Sequence, residues 1–426
     1  MRALRTALVI AMVLAMLGRA GLRAEEPPPA KPIDKEPAPE KRIDKEPPLA
    51  KRIDKVLDTA VAEKKLVGAV LIVAKDGQVV YHRAVGLADR EANRPMREDD
   101  IFRLASMTKT LTSAAALALV DKGKLQLNDP VTKYLPDFRP KLADGKEPTI
   151  TIHHLLTHTS GLTYGFLETL DGPYHKAKVS DGLDQPGLSL EENLRRIDSV
   201  PLSFEPGSAW NYSVSTDVLG AVVASASKMP LPEAIAQLVT EPLKMKETTF
   251  YASDPARLVP PYGDGTPQPV RMTDPYSLAF AGTGEIRYAP SRVFDRKSFP
   301  SGGGGMIGTA RDYITLLEAI RKGGDPILKP ETTALMTSNR IGSLSILSTF
   351  GPGWGFGYGF AVLKDTEKSL GPHSLRTYQW GGAYGHHWFV DPAEKLTVVL
   401  LTNTAIAGMA GAIPYNLTAA IYGEKR

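Results

Sequence analysis

A serine and a lysine three positions apart, Ser106 and Lys109, open the alanine-rich apolar part of the run from Ile101 to Val120, just after a strand-like Ile101-Phe102. On a helix, positions i and i+3 share a face, so a lysine amine held neutral there can reach the serine hydroxyl and take its proton. A serine in the first helical turn also offers its own backbone N–H, one of the unpaired donors of a helix N-terminus, to a developing oxyanion. The chemistry this pair points to is nucleophilic acyl transfer. The same spacing recurs at Ser225 and Lys228, but Met229-Pro230 stops that helix directly afterwards. Ser225 is read as an end-of-helix decoy and Ser106 as the nucleophile.

Two further stretches complete a plausible site. Tyr212 follows the turn Glu205-Pro206-Gly207-Ser208 and precedes a helix expected from Asp217 to Ala224. A tyrosine beside the serine and lysine can share their proton and hand it to a leaving group. Gln379-Trp380-Gly381-Gly382-Ala383 ends a strand, and glycines in such a place let another backbone or a ligand approach closely. A substrate carbonyl lying there would receive N–H donation from Ala383 as well as from Ser106. Taken singly, Tyr212 better suits a half-buried core position, and the glycine pair suits a bulge as well as a site.

Other conspicuous residues read structurally. His153, His154 and His158 include an i, i+4 pair, but the glutamate of His-Glu-x-x-His is missing and no third ligand is evident, so packing and capping are expected and no metal site is. The four glycines at 302–305 lack the Gly-Lys-Ser/Thr of a phosphate loop, and Thr309 with Asp312 reads as a helix N-cap. Glycines alternating with Trp354, Phe356 and Tyr358 suggest a loop entering a strand rather than a dinucleotide fingerprint. Tyr384, His386 and His387 are placed along the cleft.

The elements that must position these residues come from both ends of the chain. Ile53, Val56, Leu57, Ala60 and Val61 have helical spacing, and the apolar runs between Val67 and Val85 flank Lys75-Asp76-Gly77, a hairpin turn. Strands are expected again at Tyr358–Leu363, Thr377–Trp380, His386–Val390 and Leu396–Leu401, followed by a helix from about Ala407 to Tyr422. The fold class is α/β of the α+β type: one antiparallel sheet built from both chain ends, flanked by helices, with a mainly helical lobe inserted. The sheet lobe is assigned to about residues 53–103 and 300–422, the helical lobe to about 104–299, and the nucleophile to the seam between them.

At 426 residues and 42% hydrophobic content the chain can bury a large core. With no cysteine it has neither disulfides nor thiolate chemistry. Residues 1–24 combine Arg2 and Arg5, an apolar run from Ala7 to Leu17 and a small residue at Ala24, the order of an export signal too short for a secure membrane span. A periplasmic or secreted location is therefore expected. The formal charge of +4 matches the four arginines of that leader, which leaves the remainder near neutral and argues against a nucleic-acid surface. Residues 25–52 are proline-rich and begin an Ile-Asp-Lys repeat, at 33–35 and 43–45 with its last copy at 53–55 running into the first helix, and the segment is read as an extended linker or cell-envelope tether.

Taken together, Ser106-Met107-Thr108-Lys109, Tyr212-Ser213-Val214 and Trp380-Gly381-Gly382 resemble the motifs of the serine β-lactamase and penicillin-binding fold, in the branch of class C β-lactamases and family VIII carboxylesterases. Thr151–Leu162, Glu205-Pro206-Gly207 and Ser301–Gly305 resemble this family too, and the likeness covers about residues 50–422. It implies Ser106, Lys109 and Tyr212 as catalytic residues, the N–H groups of Ser106 and Ala383 as oxyanion donors, and Trp380, Gly381, Gly382 and Val214 at the substrate, with Tyr384 added from its place beside them. Two departures stand out. Val214 occupies the place of an asparagine that binds an amide side chain, and Trp380 the place of the lysine of Lys-Thr-Gly that binds a β-lactam carboxylate. The family VIII esterases look like this, so an exported esterase acting on a small-molecule ester, with no metal or organic cofactor, is expected. A β-lactamase or D-alanyl-D-alanine carboxypeptidase is the enzymatic alternative, and a penicillin-binding sensor that acylates without turnover is the alternative of another class.

Overall fold

The computed structural model describes residues 48–252, 254–280, 284–346 and 349–423. The expected leader and residues 25–47 of the expected linker lie outside them. Residues 49–52, assigned to the linker from their repeat, are instead the first turn of helix α1 (Leu49–Ala62). The reason is contact: Leu49 packs against the core, and the Arg52 Nε donates to the carbonyl of Ala420 at 2.7 Å.

Strands β1 (Gly68–Lys75) and β2 (Gln78–Asp89) form the expected hairpin. Asp76 and Gly77 both have positive φ, 52° and 83°, the two-residue turn whose twist matches paired strands. The chain adds β3 (Arg94–Pro95) and then, from its far end, β4 (Trp354–Phe356), β5 (Ala361–Leu363), β6 (Tyr378–Gly382), β7 (His386–Asp391) and β8 (Leu396–Thr402). They make one eight-stranded antiparallel sheet in the order β4-β5-β6-β7-β8-β1-β2-β3. The glycine-alternating stretch is thus partly strand, since Trp354–Phe356 pairs with Ala361–Leu363.

Every residue of β1 except Lys75 is buried, because both sheet faces are covered. Ala69, Leu71 and Val73 point outward with Val398, Leu400 and Phe389 to meet α1 and the C-terminal helix α5 (Ala412–Tyr422). Val70, Ile72 and Ala74 point inward to the main core. There lie α2 (Thr108–Asp121), α3 (Ser215–Ser227) and α4 (Ala310–Arg321), the last capped by the Thr309 hydroxyl, which accepts from the Asp312 N–H at 3.2 Å. The chain leaves the sheet at Phe102–Arg103 and returns at Ile307–Gly308, and these two segments pair with each other at the neck of the helical lobe. No helix among the described residues is long and apolar enough to cross a membrane.

Candidate active site

Helix α2 is buried on every side from Thr108 to Leu119, its polar first turns as well as its alanine- and leucine-rich remainder, the placement of a helix inside a core. Its entry is a short 3₁₀ turn, Ala105–Met107, which places Ser106 at the cleft floor. Ala105, just before the serine, has φ of 46° and is wholly buried. A left-handed alanine costs about 1–3 kcal/mol and persists only where its surroundings over-determine it. Here the Leu104 N–H bonds the Met306 carbonyl at 2.8 Å, and the Arg103 carbonyl accepts from His386 Nε2 at 2.7 Å. His386 Nδ1 accepts the Thr402 N–H at 3.2 Å, so the proton sits on Nε2. Burial lowers this imidazole to a pKa of about 4; it is a neutral clasp behind the serine.

The Ser106 Oγ accepts from Lys109 Nζ at 3.2 Å and from the Tyr212 hydroxyl at 2.7 Å. Both expected partners therefore converge on it. Lys109 is fully buried; its Nζ also donates to the Gly303 carbonyl at 2.7 Å and lies over the rings of Tyr212 and Tyr164, 4.8 and 5.2 Å from their centroids. Tyr212 is wedged among His158, Tyr164 and Trp380, with ring centroids at 5.0, 5.0 and 5.2 Å. The chain before it is pinned by Asn211, whose N–H bonds the His158 carbonyl at 3.0 Å and whose amide bonds the Leu162 carbonyl at 3.2 Å.

Gly382 brings the two expected oxyanion donors together. A Cβ there would sit 2.4 Å from the Leu104 carbonyl oxygen, so only glycine lets the end of β6 lie against the nucleophile turn. The next residue, Ala383, lines the cleft with Ser106, and its carbonyl is held by the Tyr288 hydroxyl at 2.9 Å. Neither the Ser106 nor the Ala383 N–H has a backbone partner among the described residues, which leaves both for a ligand oxygen.

Two expected substrate contacts are corrected. Val214 is fully buried at the cap of α3, its N–H bonded to the Thr163 carbonyl at 3.2 Å, and it does not reach the cleft. The chain turns into α3 at Val214, so the motif position does not present its side chain to the cleft. Tyr384 points away in the tight turn closed by the Gly385 N–H and Gly382 carbonyl, and packs on Tyr288 at 4.9 Å. Trp380 and Gly381 do line the cleft, while Gly382 serves as the close-approach point. The decoy pair is apart from all this: Ser225 is exposed, bonded to the Tyr134 carbonyl, and Lys228 is an exposed left-handed cap. The histidines cap and pack: His154 closes a capping box with Thr151, His153 bonds Tyr358 and His158 bonds Ser213.

The structure adds residues that spacing did not reveal. Asp217, fully buried on α3, accepts from the Ser301 hydroxyl at 2.6 Å and the Gly303 N–H at 3.2 Å, fixing the peptide whose carbonyl holds Lys109. Burial raises its pKa, opposed by the Ser301 bond and the Lys109 charge. Tyr164 stacks on Phe166 at 4.6 Å, and burial, then the neighbouring Tyr212 and Asp217, raise its pKa well above the usual phenol range. Asp181 ties down the loop that carries both rings by accepting the Gly165 and Phe166 N–H groups at 2.9 and 3.1 Å. Its carboxyl is pushed up to about 8 by burial and then by the charge of Asp184. The only hint in the sequence was position: Asp217 lies five residues after Tyr212, and Gly303 lies in the Ser301–Gly305 stretch.

The sequence matches the Beta-lactamase family profile over residues 53–420. The chain belongs to this family. It is 52% identical over 371 residues to Esterase EstB of Burkholderia gladioli, covering 87% of this chain and 94% of that protein. It is 28% identical to the lovastatin esterase of Penicillium rubens, covering 79% and 88%. Among solved structures it is similar to EstCE1, a hydrolase with promiscuous acyltransferase activity, at a TM-score of 0.86 and 43% identity, covering 88% and 98%. The simvastatin synthase LovD of Aspergillus terreus shares the fold, with a TM-score of 0.67 at 22% identity and coverage of 88% and 97%. This family member is an ester-cleaving serine hydrolase of the carboxylesterase type.

Proposed function

We propose that the protein is an exported carboxylesterase that works through an acyl-enzyme on Ser106. The observation that carries this reading is the convergence of Lys109 Nζ and the Tyr212 hydroxyl on one serine oxygen, at 3.2 and 2.7 Å. As the Ser106 Oγ bonds to the ester carbonyl carbon, its proton passes into the Lys109–Tyr212 pair. The carbonyl oxygen gains the negative charge and is held by the N–H groups of Ser106 and Ala383. When the C–O bond to the alcohol breaks, Tyr212 is placed to return the proton to the departing oxygen. Water then repeats the sequence against the acyl-enzyme, and the acid leaves. The esterase relatives support ester over other acyl substrates.

Ser106→Ala should abolish turnover of p-nitrophenyl butyrate and covalent labelling by a fluorophosphonate, while Ser225→Ala leaves both near the starting level. Peptide mapping by mass spectrometry reads the labelled residue; label on Ser225, or label that survives Ser106→Ala, would overturn the assignment. Export rests on the leader-like residues 1–24 alone. Fractionation of a producing cell, with N-terminal sequencing of the product, tests it, and an intact chain retained in the cytoplasm would refute it.

A further inference from the structure

We propose that the cleft has a second chamber, on the outer face of the sheet, which takes a long uncharged arm of the ester whose carbonyl lies at Ser106. The inference rests on the esterase reading and adds the substrate class. The first observation is size. The cleft encloses about 1250 Å³, beyond the roughly 300–1,000 Å³ of a typical ligand pocket and far more than a short ester fills.

The second is the path. Strand β5 pairs with β6 only at Val362↔Tyr378 and Ala361↔Gln379, so the edge of β6 from Trp380 to Gly382 has no strand beside it among the described residues. Side chains alternate across a sheet. Trp380 faces Trp388 on the inner side, in the core with Tyr212, whereas Gly381 faces His387 and Gln379 faces Phe389 on the outer side, where Phe389 packs with α1 and α5. Yet one continuous cleft is lined by Ser106, Tyr212 and Trp380 and also by Gln379, Gly381 and His387. It must round the bare edge of β6. Gly381 is the corner: a Cβ there would lie 3.0 Å from Met409 Cγ and 2.5 Å from the His386 carbonyl oxygen, so any larger residue would crowd the passage.

The third is chemistry. Beyond the corner the walls are Met409, Pro414, Tyr415 and Thr418 of α5 and its approach, facing His373 and His387. Burial lowers these imidazoles to about 4 and about 3, so both are neutral in ordinary buffer. No lysine or arginine is among the described residues that line the cleft. Leu370, Leu375 and Tyr415 stand exposed at its rim, 86%, 53% and 65% accessible. An anionic arm finds no cation here, and an apolar arm finds apolar walls with a few neutral polar groups.

Ala410 and Ala419 are exposed residues on the chamber wall, away from Ser106 and its partners. Ala410→Trp and Ala419→Trp, made separately, fill it from the surface. The wild-type protein should hydrolyse both p-nitrophenyl acetate and p-nitrophenyl octanoate. Each variant should lose about tenfold or more in kcat/KM for the octanoate while acetate stays within about twofold. Equal effects on the two esters in both variants, or a wild-type protein that turns over acetate but rejects octanoate, would overturn the chamber and leave the esterase reading standing. Acetate hydrolysis that survives Ser106→Ala would sink the esterase reading instead.

Discussion

Gly382→Ala tests how closely the catalytic turn depends on one missing methyl group. The added Cβ would lie 2.4 Å from the Leu104 carbonyl oxygen, against 3.4 Å for the start of ordinary contact. The obstacle is backbone, buried, and tied to Met306 on one side and through Arg103 to His386 on the other. The end of β6 therefore has to give way, by about 1 Å, and it carries Ala383 with it. A shift of that size in a catalytic group costs about a hundredfold, and outright loss of an oxyanion donor costs about 10²–10³ in kcat. The variant should thus show kcat on p-nitrophenyl butyrate about 10²-fold below wild type, with a much smaller change in KM, since the apolar walls that bind the substrate are intact. Overpacking should cost the fold only about 1–3 kcal/mol, visible as a modest drop in Tm. Kinetics beside a thermal melt separate the two effects. Activity within about threefold of wild type in a folded variant would refute the placement of Ala383 in the oxyanion site.

Tyr212→Phe removes the hydroxyl that donates to Ser106 and should lower kcat by about a hundredfold or more; a variant with near-full activity would reduce Tyr212 to a packing residue and require another acid. Nitrocefin should be a much poorer substrate than p-nitrophenyl butyrate, by about two orders of magnitude in kcat/KM, because a β-lactam carboxylate meets Trp380 and no lining cation. Nitrocefin turnover equal to or above that of the ester would restore the β-lactamase alternative. Asp181 gives a pH prediction. Its folded pKa of about 8 exceeds the ordinary 3.8, so the folded chain binds the extra proton between these values. Its stabilising contribution is full below the lower value and is lost as pH rises through the upper one. Asp181→Asn imitates the protonated form, so Tm measured from about pH 5 to about pH 9 should shift steadily in the variant's favour; a difference constant across that range would contradict the burial of an ionising carboxyl there.

What could be read before any coordinates were known was whatever depends on neighbours in sequence. The Ser106–Lys109 spacing, the Asp76-Gly77 hairpin and the apolar strands at both ends are local patterns, and the architecture follows from pairing them. Tyr212 was legible through the turn that delivers it. Gly303 and Asp217 were not, because their role is created by an approach across the fold, where a carbonyl meets an amine 194 positions away in the chain. Tyr384 and Val214 were misplaced for a related reason. Neither position has a periodicity that says which way its side chain points: Val214 enters the cap of α3, and Tyr384 sits inside the turn closed between Gly382 and Gly385. Leu49–Arg52 were hidden by a repeat whose composition suits a linker until α5 is there to bind it.

The two hydrogen-bond donors proposed for the oxyanion site belong to Ser106 and Ala383, and β1 finds its neighbour β8 only when residues beyond 396 are present. A ribosome emitting this chain thus releases the nucleophile, its lysine and its tyrosine long before the surface that makes them useful. During that interval β1 has an unmatched apolar edge, a hazard for association with other nascent chains. By the same order, the proposed oxyanion site lacks its second donor until Ala383 has been made. The appearance of esterase activity in a timed translation would mark the closing of the sheet itself.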